Sequence, residues 1–161
     1  MDFNTLWNLD ISAIWELSDR NSFIIAMSSW IGRKSNYGED MDALTPEEQT
    51  FIICNHLEGE VNNGGFSQYL YNSSGNNAYR VAACMDTLGA HRTAEICRSA
   101  FAVFNQPIPQ DWDDRQEFLD EFLTDEIDVF LSQCDSLFYQ YEDDLEQLTY
   151  SYILTHKDCF T

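Results

Sequence analysis

Side chains that could transfer protons or bind a metal lie close together at one place in the sequence. His56 follows Cys54 by two residues and precedes Glu60 by four. Zinc sites need spacings such as HExxH or CxxC, and neither occurs. Glu58 and Glu60 would point ~160° apart on a helix, so they cannot act as an acid–base pair. We therefore predict no catalytic residue and no enzyme activity.

Two other patterns resemble ligand-binding loops only in part. Asp111, Asp113 and Asp114 resemble the start of a calcium loop, but no glycine or closing glutamate follows at the required position. The pair Gly64-Gly65 lacks the lysine and the spacing of a phosphate-binding loop. The sequence therefore predicts neither a metal site nor a cofactor.

The charge balance is the most unusual property of the chain. Its 28 acidic residues face eight Lys and Arg, so the formal net charge is −20 at pH 7. Such a field repels nucleic acids, anionic membranes and phosphate substrates, and it attracts basic surfaces. Binding to DNA requires Lys and Arg to displace its counterions. We therefore expect a basic protein partner and no direct binding to nucleic acid or membrane.

The acidic residues are concentrated in one segment. Residues 1–62 have a net charge of −8, and residues 63–110 have a net charge of +1. Residues 111–146 hold fourteen acids and a single base, Arg115, which gives a net charge of −13. A salt-adapted protein would spread its acids over the whole surface, so the neutral middle argues against that explanation.

Four of these acids share one predicted helical face. Asp113, Glu117, Asp120 and Glu121 have the spacing i, i+4, i+7 and i+8. Carboxylates one turn apart are separated by ~5–6 Å along the axis, which is similar to the spacing of phosphates along a DNA strand. Like charges at i, i+4 destabilise a helix by ~0.2–0.5 kcal/mol per pair. The face is interpreted either as a solvated surface that keeps the protein soluble or as an imitation of DNA charge.

Helical spacing of apolar residues runs through the whole chain. Ser22 can cap an early helix that ends at Gly32, and residues 33–44 have the composition of a polar loop. The sequence Thr45-Pro46-Glu47-Glu48 is a helix start with a capping box. That helix should stop at residues 62–65.

The second half of the chain has the same character. Helices at about 76–88 and 90–104 should form an antiparallel hairpin around Gly89. Apolar residues from 118 to 131 keep helical spacing, and a last helix is predicted from about 143 to 153. No strand alternation competes with this pattern. We predict an all-α fold, a compact multi-helix single domain covering residues 1–161.

Cysteine usage and the apolar runs indicate the compartment. The five cysteines are scattered and form no CxxC pair, which favours reduced thiols over disulfides. The start of the chain lacks the basic segment of a signal peptide. The longest apolar runs are far too short to span a bilayer. We therefore expect a cytoplasmic protein.

One stretch of sequence has the form of a family signature. The segment EVNNGGFSQYL at residues 60–70 is followed by Leu88-Gly89-Ala90 and by Ala94-Glu95-Ile96. This pattern, with Asn-Gly-Gly-Phe-x-Gln-Tyr as its core, closely resembles a bacterial family of helical DNA-mimic proteins over roughly residues 45–155. The resemblance implies an all-helical homodimer without catalytic activity, whose acidic face occupies the DNA-binding surface of a helix-turn-helix transcription factor and relieves repression.

The motif itself has the character of a structural element. Gly64 and Gly65 are expected to supply positive φ for a tight turn, and the two preceding asparagines can satisfy the carbonyls before it. Phe66 and Tyr69 should anchor the next helix in the core. The residues assigned to this structural motif are Asn63, Gly64, Gly65, Phe66, Gln68 and Tyr69.

Charge and resemblance together predict a DNA mimic that binds and sequesters a DNA-binding protein, a helix-turn-helix transcription regulator. A homodimer would lengthen its charged track. The predicted partner-binding carboxylates are Asp111, Asp113, Asp114, Glu117, Asp120, Glu121, Asp125, Glu126, Asp128, Glu142, Asp143, Asp144 and Glu146, with Glu39, Asp40, Asp42, Glu47 and Glu48. The alternative is an immunity or inhibitor protein that caps a basic toxin or nuclease with the same acids. DNA should displace a mimic from its partner, whereas a cap over another surface would tolerate DNA.

Overall fold

Most of the helices begin where an aspartate or threonine side chain caps the first turn. The computed structural model describes residues 2–161, with only the backbone of Phe3. Its helices are α1 (Phe3–Trp7), α2 (Ile11–Ile14), α3 (Arg20–Lys34), α4 (Pro46–Tyr71), α5 (Ala78–Leu88), α6 (His91–Ala102), α7 (Trp112–Phe122), α8 (Asp125–Phe138) and α9 (Leu145–Thr155). Short 3₁₀ helices lie at Asn36–Gly38, Met41–Ala43, Ser73–Asn77 and Lys157–Cys159. Residues 2–161 contain no strand, so the predicted all-α fold class is confirmed.

The bounds of α3 differ from those predicted. Asp19 is the N-cap, because its carboxylate accepts the N–H of Ser22 at 2.9 Å. The prediction that Ser22 caps this helix is therefore wrong by three residues. The helix also continues through the buried Gly32 to Lys34, since that glycine keeps helical geometry and does not act as a stop.

One of two compact units comprises the chain up to Ile52 together with Leu145–Thr161. In it α3 packs against α1, α2 and α9. The ring of Phe23 meets the ring of Tyr150 edge-on at 5.3 Å, and the two rings share the core of this unit. Edge-on packing of this kind adds to the stabilisation that apolar burial gives.

The other unit comprises Ile53–Asp144. Here α5 and α6 form the predicted hairpin, joined at Gly89, whose left-handed φ of 94° ends α5. Helix α6 also packs against α8, so the hairpin supports the second helix of the acidic segment. None of the helices in the described residues is both long and apolar enough to cross a membrane. That the whole chain is one domain stays a prediction.

Candidate functional site

The acidic segment folds into two consecutive helices, α7 and α8. Asp111 caps α7 by accepting the N–H of Asp114 at 3.1 Å, and Thr124 caps α8 by accepting the N–H of Ile127 at 3.3 Å. Phe118 is buried and holds the inner side of α7 against the core. The polar side of α7 therefore faces solvent, as its apolar spacing predicts.

Carboxylates on the outer side of these helices are exposed. We define the α7–α8 acidic face by seven residues: Asp113, Asp114, Glu117, Asp120, Glu121, Asp125 and Glu126. Within residues 2–161, no cation pairs with these carboxylates and no side chain or backbone group donates a hydrogen bond to them. The exposure predicted for the four acids of α7 is confirmed, whereas their role in binding a partner stays a prediction.

Helix dipoles explain some of these acids and not others. Four of the seven lie in the first turn of α7 or α8, where the positive end of the helix dipole stabilises negative charge. Glu117, Asp120 and Glu121 lie further along α7, and its last turn contains no basic residue. In the last turn the dipole disfavours Asp120 and Glu121, and repulsion between Glu117 and the acids one turn away, Asp113 and Glu121, adds to the cost. These three acids therefore lower the stability of α7.

The single base of the acidic segment is turned inward. Arg115 is fully buried, and its guanidinium donates to the carbonyls of Leu70 at 2.7 Å, Gln110 at 2.8 Å and Asn72 at 3.0 Å. Burial lowers the pKa of Arg115, and the nearby Tyr69 and Asp111 oppose that effect. Because its donors are satisfied by carbonyls, Arg115 does not pair with the acids on the surface of α7. The sequence does not show that Arg115 is buried. The only sign of it is that this arginine stands alone among fourteen acids.

The prediction that the Glu48 carboxylate faces a partner is wrong. Glu48 is fully buried, and its carboxylate accepts both the Thr45 N–H at 2.9 Å and the Lys34 ammonium at 2.9 Å. The N–H of Glu48 bonds to the Thr45 hydroxyl in return, which completes the predicted capping box. The same contacts that confirm the cap remove this charge from the surface, because a buried and neutralised carboxylate cannot face a partner.

Three other predicted acids contact groups that weaken or occupy their charge. Glu142 lies 3.3 Å from Arg92, and Glu146 lies 3.6 Å from Arg20. Asp143 accepts both the N–H and the hydroxyl of Thr93, at 2.7 and 2.9 Å, at the start of α6. These carboxylates have structural partners of their own, so they are weaker candidates than the α7–α8 acidic face.

The remaining predicted acids are placed as follows. Asp111 is the cap of α7, and Asp128 accepts the Ser67 hydroxyl at 2.9 Å. In the unit that contains α3, three further acids are exposed in the segment before α4 and one is half-buried in its first turn: Glu39, Asp40, Asp42 and Glu47. Asp144 is exposed in the turn before α9. Their part in binding stays a prediction.

The glycine pair of the motif kinks α4 rather than ending it. Gly65 has φ +79°, as predicted, but Gly64 has φ −162°, which is extended backbone. The prediction of a positive φ at Gly64 is therefore wrong. A methyl group at position 64 would lie 2.9 Å from the Cβ of Gln68, so close approach explains that glycine. Helix α4 resumes at Phe66, and Phe66 and Tyr69 are fully buried as predicted.

Side chains of α8 and of its C-terminal end satisfy the backbone groups that the kink releases. The Tyr139 hydroxyl donates to the Val61 carbonyl at 2.7 Å, and the Asp135 carboxylate accepts the Phe66 N–H at 2.8 Å. In an unbroken helix the Val61 carbonyl would accept the N–H of Gly65. The motif thus holds α8 in place, a role that sequence patterns do not reveal because the partners are about 70 residues apart in the chain.

Asp135 differs from the other acids of the segment. Burial raises the pKa of its carboxyl, the nearby Asp128 adds to the rise, and the bond from the Phe66 N–H opposes it. Asp135 is not among the predicted partner-binding acids, and the structure gives it a structural role against the motif.

Most of the chain matches a known protein family. The family model described as DMP19-like protein matches residues 42–156, which include the glycine motif, α7 and α8. The chain belongs to the DMP19-like protein family. The family resemblance predicted over roughly residues 45–155 is therefore confirmed. The comparisons found no matching curated protein and no matching solved structure.

DMP19-like proteins are not a known enzyme family. A polar cleft lies beside the motif. Its volume is about 350 Å³, and it is lined by Asn55, His56, Gly59, Glu60, Asn63 and Ser74. The Glu60 carboxylate accepts bonds from Gln68 at 2.7 Å and Asn72 at 2.8 Å, and burial lowers the pKa of His56. In the described part of the chain no three His, Cys, Asp or Glu side chains are grouped to hold a metal ion. The bonds to Glu60 join the two sides of the kink.

The kink of this DMP19-like chain predicts a specific response to substitution. Gly65→Ala should lower the free energy of unfolding by about 2–3 kcal/mol, because alanine disfavours the positive φ and its methyl group would lie 2.3 Å from the Asp135 carboxylate. Gly59→Ala is the matched control. It lies in open space on the same helix and should raise stability by ~0.5–1 kcal/mol. Urea denaturation monitored by circular dichroism measures both, and equal stabilities for the two variants would contradict the role given to Gly65.

Proposed function

We propose that this protein is a DNA mimic that sequesters a DNA-binding protein, a helix-turn-helix transcription regulator. Membership of the DMP19-like family is consistent with that role. The observation that carries the proposal is the trio Glu117, Asp120 and Glu121, which is exposed, unpaired within residues 2–161 and placed where it weakens α7. Charge that lowers stability without a structural partner is typical of a functional surface.

The geometry of α7 supports phosphate imitation. Glu117 and Glu121 are one turn apart, and Asp113 precedes Glu117 by one turn. A helix holds such carboxylates ~5–6 Å apart along one line. A DNA-binding surface places Lys and Arg where successive phosphates lie. The carboxylates of α7 can therefore meet several of those basic groups together without rearranging.

We also propose that the protein is a homodimer. Two copies would lengthen the charged track toward the length of a pair of operator half-sites. Beyond the acids of its first turn, α8 exposes two apolar side chains for such contact, Val129 at 60% and Leu137 at 37%. The proposal also places the protein in the cytoplasm, where transcription regulators act, and gives it no enzymatic activity.

Partner capture tests the proposal. The tagged protein is immobilised, exposed to the cytosol of its native cell and eluted with rising salt, and eluted proteins are identified by mass. A DNA-binding regulator that binds to the column at low ionic strength and elutes between about 0.2 and 0.5 M salt supports the proposal, since the contact depends on charge. A triple variant, Glu117→Gln/Asp120→Asn/Glu121→Gln, should retain less of it. Recovery of a nuclease or toxin that still binds when DNA is added would instead favour an immunity protein.

A further inference from the structure

An uncharged groove lies next to the start of the acidic segment. Its volume is about 320 Å³, and its apolar walls are formed by Ala78, Tyr79, Phe101, Ala102, Pro107 and Ile108. The start of α5, the end of α6 and the loop that follows α6 each contribute to it. No lining residue is charged. Tyr79 leaves 60% of its surface exposed there, and the Arg80 guanidinium lies 5.6 Å from the centre of its ring.

Hydrogen bonds from Arg115 connect the groove to the start of α7. Arg115 donates to the carbonyls of Pro109 at 3.1 Å and Gln110 at 2.8 Å, and Gln110 lines the groove. The next residue along the chain is Asp111, the cap of α7. The indole of Trp112, which is 47% exposed, donates to the Tyr71 carbonyl at 3.0 Å. The groove therefore ends where the acidic segment begins.

The inner wall of the groove is rigid. The ring of Phe101 stacks on Tyr69 at 6.0 Å and meets Phe66 edge-on at 5.9 Å. Both of these partners are fully buried residues of the glycine motif. A preformed pocket of this kind can take an apolar side chain without first reorganising.

We infer that this groove binds one bulky apolar side chain of a basic partner segment, whose Lys and Arg meet the acids at the start of α7. The inference rests on the proposed function, because the segment belongs to the same partner. The partner chemistry follows from charge complementarity at one end of the groove. There Asp111 follows the lining residue Gln110, and Asp113 and Asp114 lie in the first turn of α7, so an apolar residue flanked by bases is favoured. Charge alone attracts any basic protein, and a central apolar contact is what selects among them.

Two synthetic peptides test the groove directly. Both are 15-residue helical peptides of lysine and alanine, and they differ only by leucine or serine at the central position. Titration of the full chain is followed by ¹H–¹⁵N NMR in low and high salt. The leucine peptide should bind about tenfold more tightly, because it buries one more apolar side chain. It should also shift the amides of Tyr79, Ala102 and Ile108, which the serine peptide leaves unchanged. Equal affinity for both peptides would overturn the inference.

Variants separate the groove from general charge attraction. Tyr79→Ser and the groove-filling Ala102→Phe should each reduce the preference for leucine to less than about twofold. Tyr37→Ser is the control, because Tyr37 is equally exposed at 63% and lies in the other unit. A preference that survives both groove variants would overturn the inference. A change in the sedimentation of the free chain on Tyr79→Ser would assign the groove to a second copy and also overturn it.

Failure of the groove and failure of the proposed function give different results. Loss of the leucine preference affects only the groove, because the acids of α7 would still bind either peptide. If neutralising Glu117, Asp120 and Glu121 leaves native partner binding unchanged, the DNA-mimic proposal fails while the leucine preference remains.

Discussion

Reversal of Asp120 and Glu121 to lysine should weaken binding to the captured partner about 100-fold at 50 mM salt. Each substitution replaces an attraction by a repulsion at the partner's basic surface, and a tenfold loss for each corresponds to about 1.4 kcal/mol. The loss should shrink at about 0.3 M salt, because screening weakens both the attraction and the repulsion. Biolayer interferometry at the two salt concentrations measures the affinity and its salt dependence.

The control for this variant keeps the same change in net charge. Glu16→Lys with Asp158→Lys also reverses two exposed acids, but they lie in the other unit and outside the predicted binding residues. Its affinity should stay within about threefold of the wild-type affinity, since only the distant field changes. Equal losses for the two double variants would show that net charge, rather than the α7–α8 acidic face, determines binding.

The stability of the same variant provides a second test. Lysine near the C-terminal end of a helix is stabilising by ~0.3–1 kcal/mol, so Asp120→Lys/Glu121→Lys should unfold at equal or higher urea concentration than the wild type. A variant that is more stable and binds less well is the result expected of a surface kept for function. If binding and stability fell together, loss of folding would explain the result and the assignment of these residues would be contradicted.

Arg115→Met should lower the free energy of unfolding by about 3–5 kcal/mol. The substitution removes a donor from four backbone carbonyls, and each carbonyl that is left unpaired costs ~1 kcal/mol or more. Those carbonyls belong to Leu70, Asn72, Pro109 and Gln110. The Asn72 carbonyl also accepts the Gly75 N–H, so the other three lose their donor. Arg115 thus joins the end of α4 and the loop before α7. Urea denaturation measures the change.

Arg98→Met is the matched control for the buried arginine. Arg98 is exposed and pairs with Asp86 on the surface, and such pairs contribute ~0.2–1 kcal/mol. Arg115→Lys adds a further comparison, because lysine keeps the charge but has fewer donors and no planar fork. It should lie between wild type and Arg115→Met. A wild-type unfolding curve for Arg115→Met would contradict the role of this guanidinium.

Local signals in the sequence predicted a large part of the fold. The capping box at Thr45, the hairpin around Gly89 and the acid face of α7 depend on neighbours within about one turn, and each is found. Helix periodicity and capping act over such distances, so the residues themselves record them. The fold class follows from the same local patterns.

Two of the errors concern side chains whose partners are distant in sequence, and a third concerns a glycine. Glu48 has the composition of a surface acid, but Lys34 and the cap draw it into the core. Arg115 is a charged residue of a kind usually found at the surface, but carbonyls from the end of α4 and from the loop before α7 surround it. Gly64 needs its small size because Gln68 approaches it, not because of its φ. Tertiary contacts determine the positions of Glu48 and Arg115, and charge patterns do not contain that information.

Competition with DNA is the most direct test of the central claim. A fluorescently labelled operator duplex bound to the captured regulator is titrated with the protein, and fluorescence anisotropy reports release of the duplex. The wild-type chain should displace the duplex completely, and Asp120→Lys/Glu121→Lys should require about 100-fold more protein. A complex in which regulator, duplex and protein remain bound together would contradict the claim that the α7–α8 acidic face takes the place of DNA.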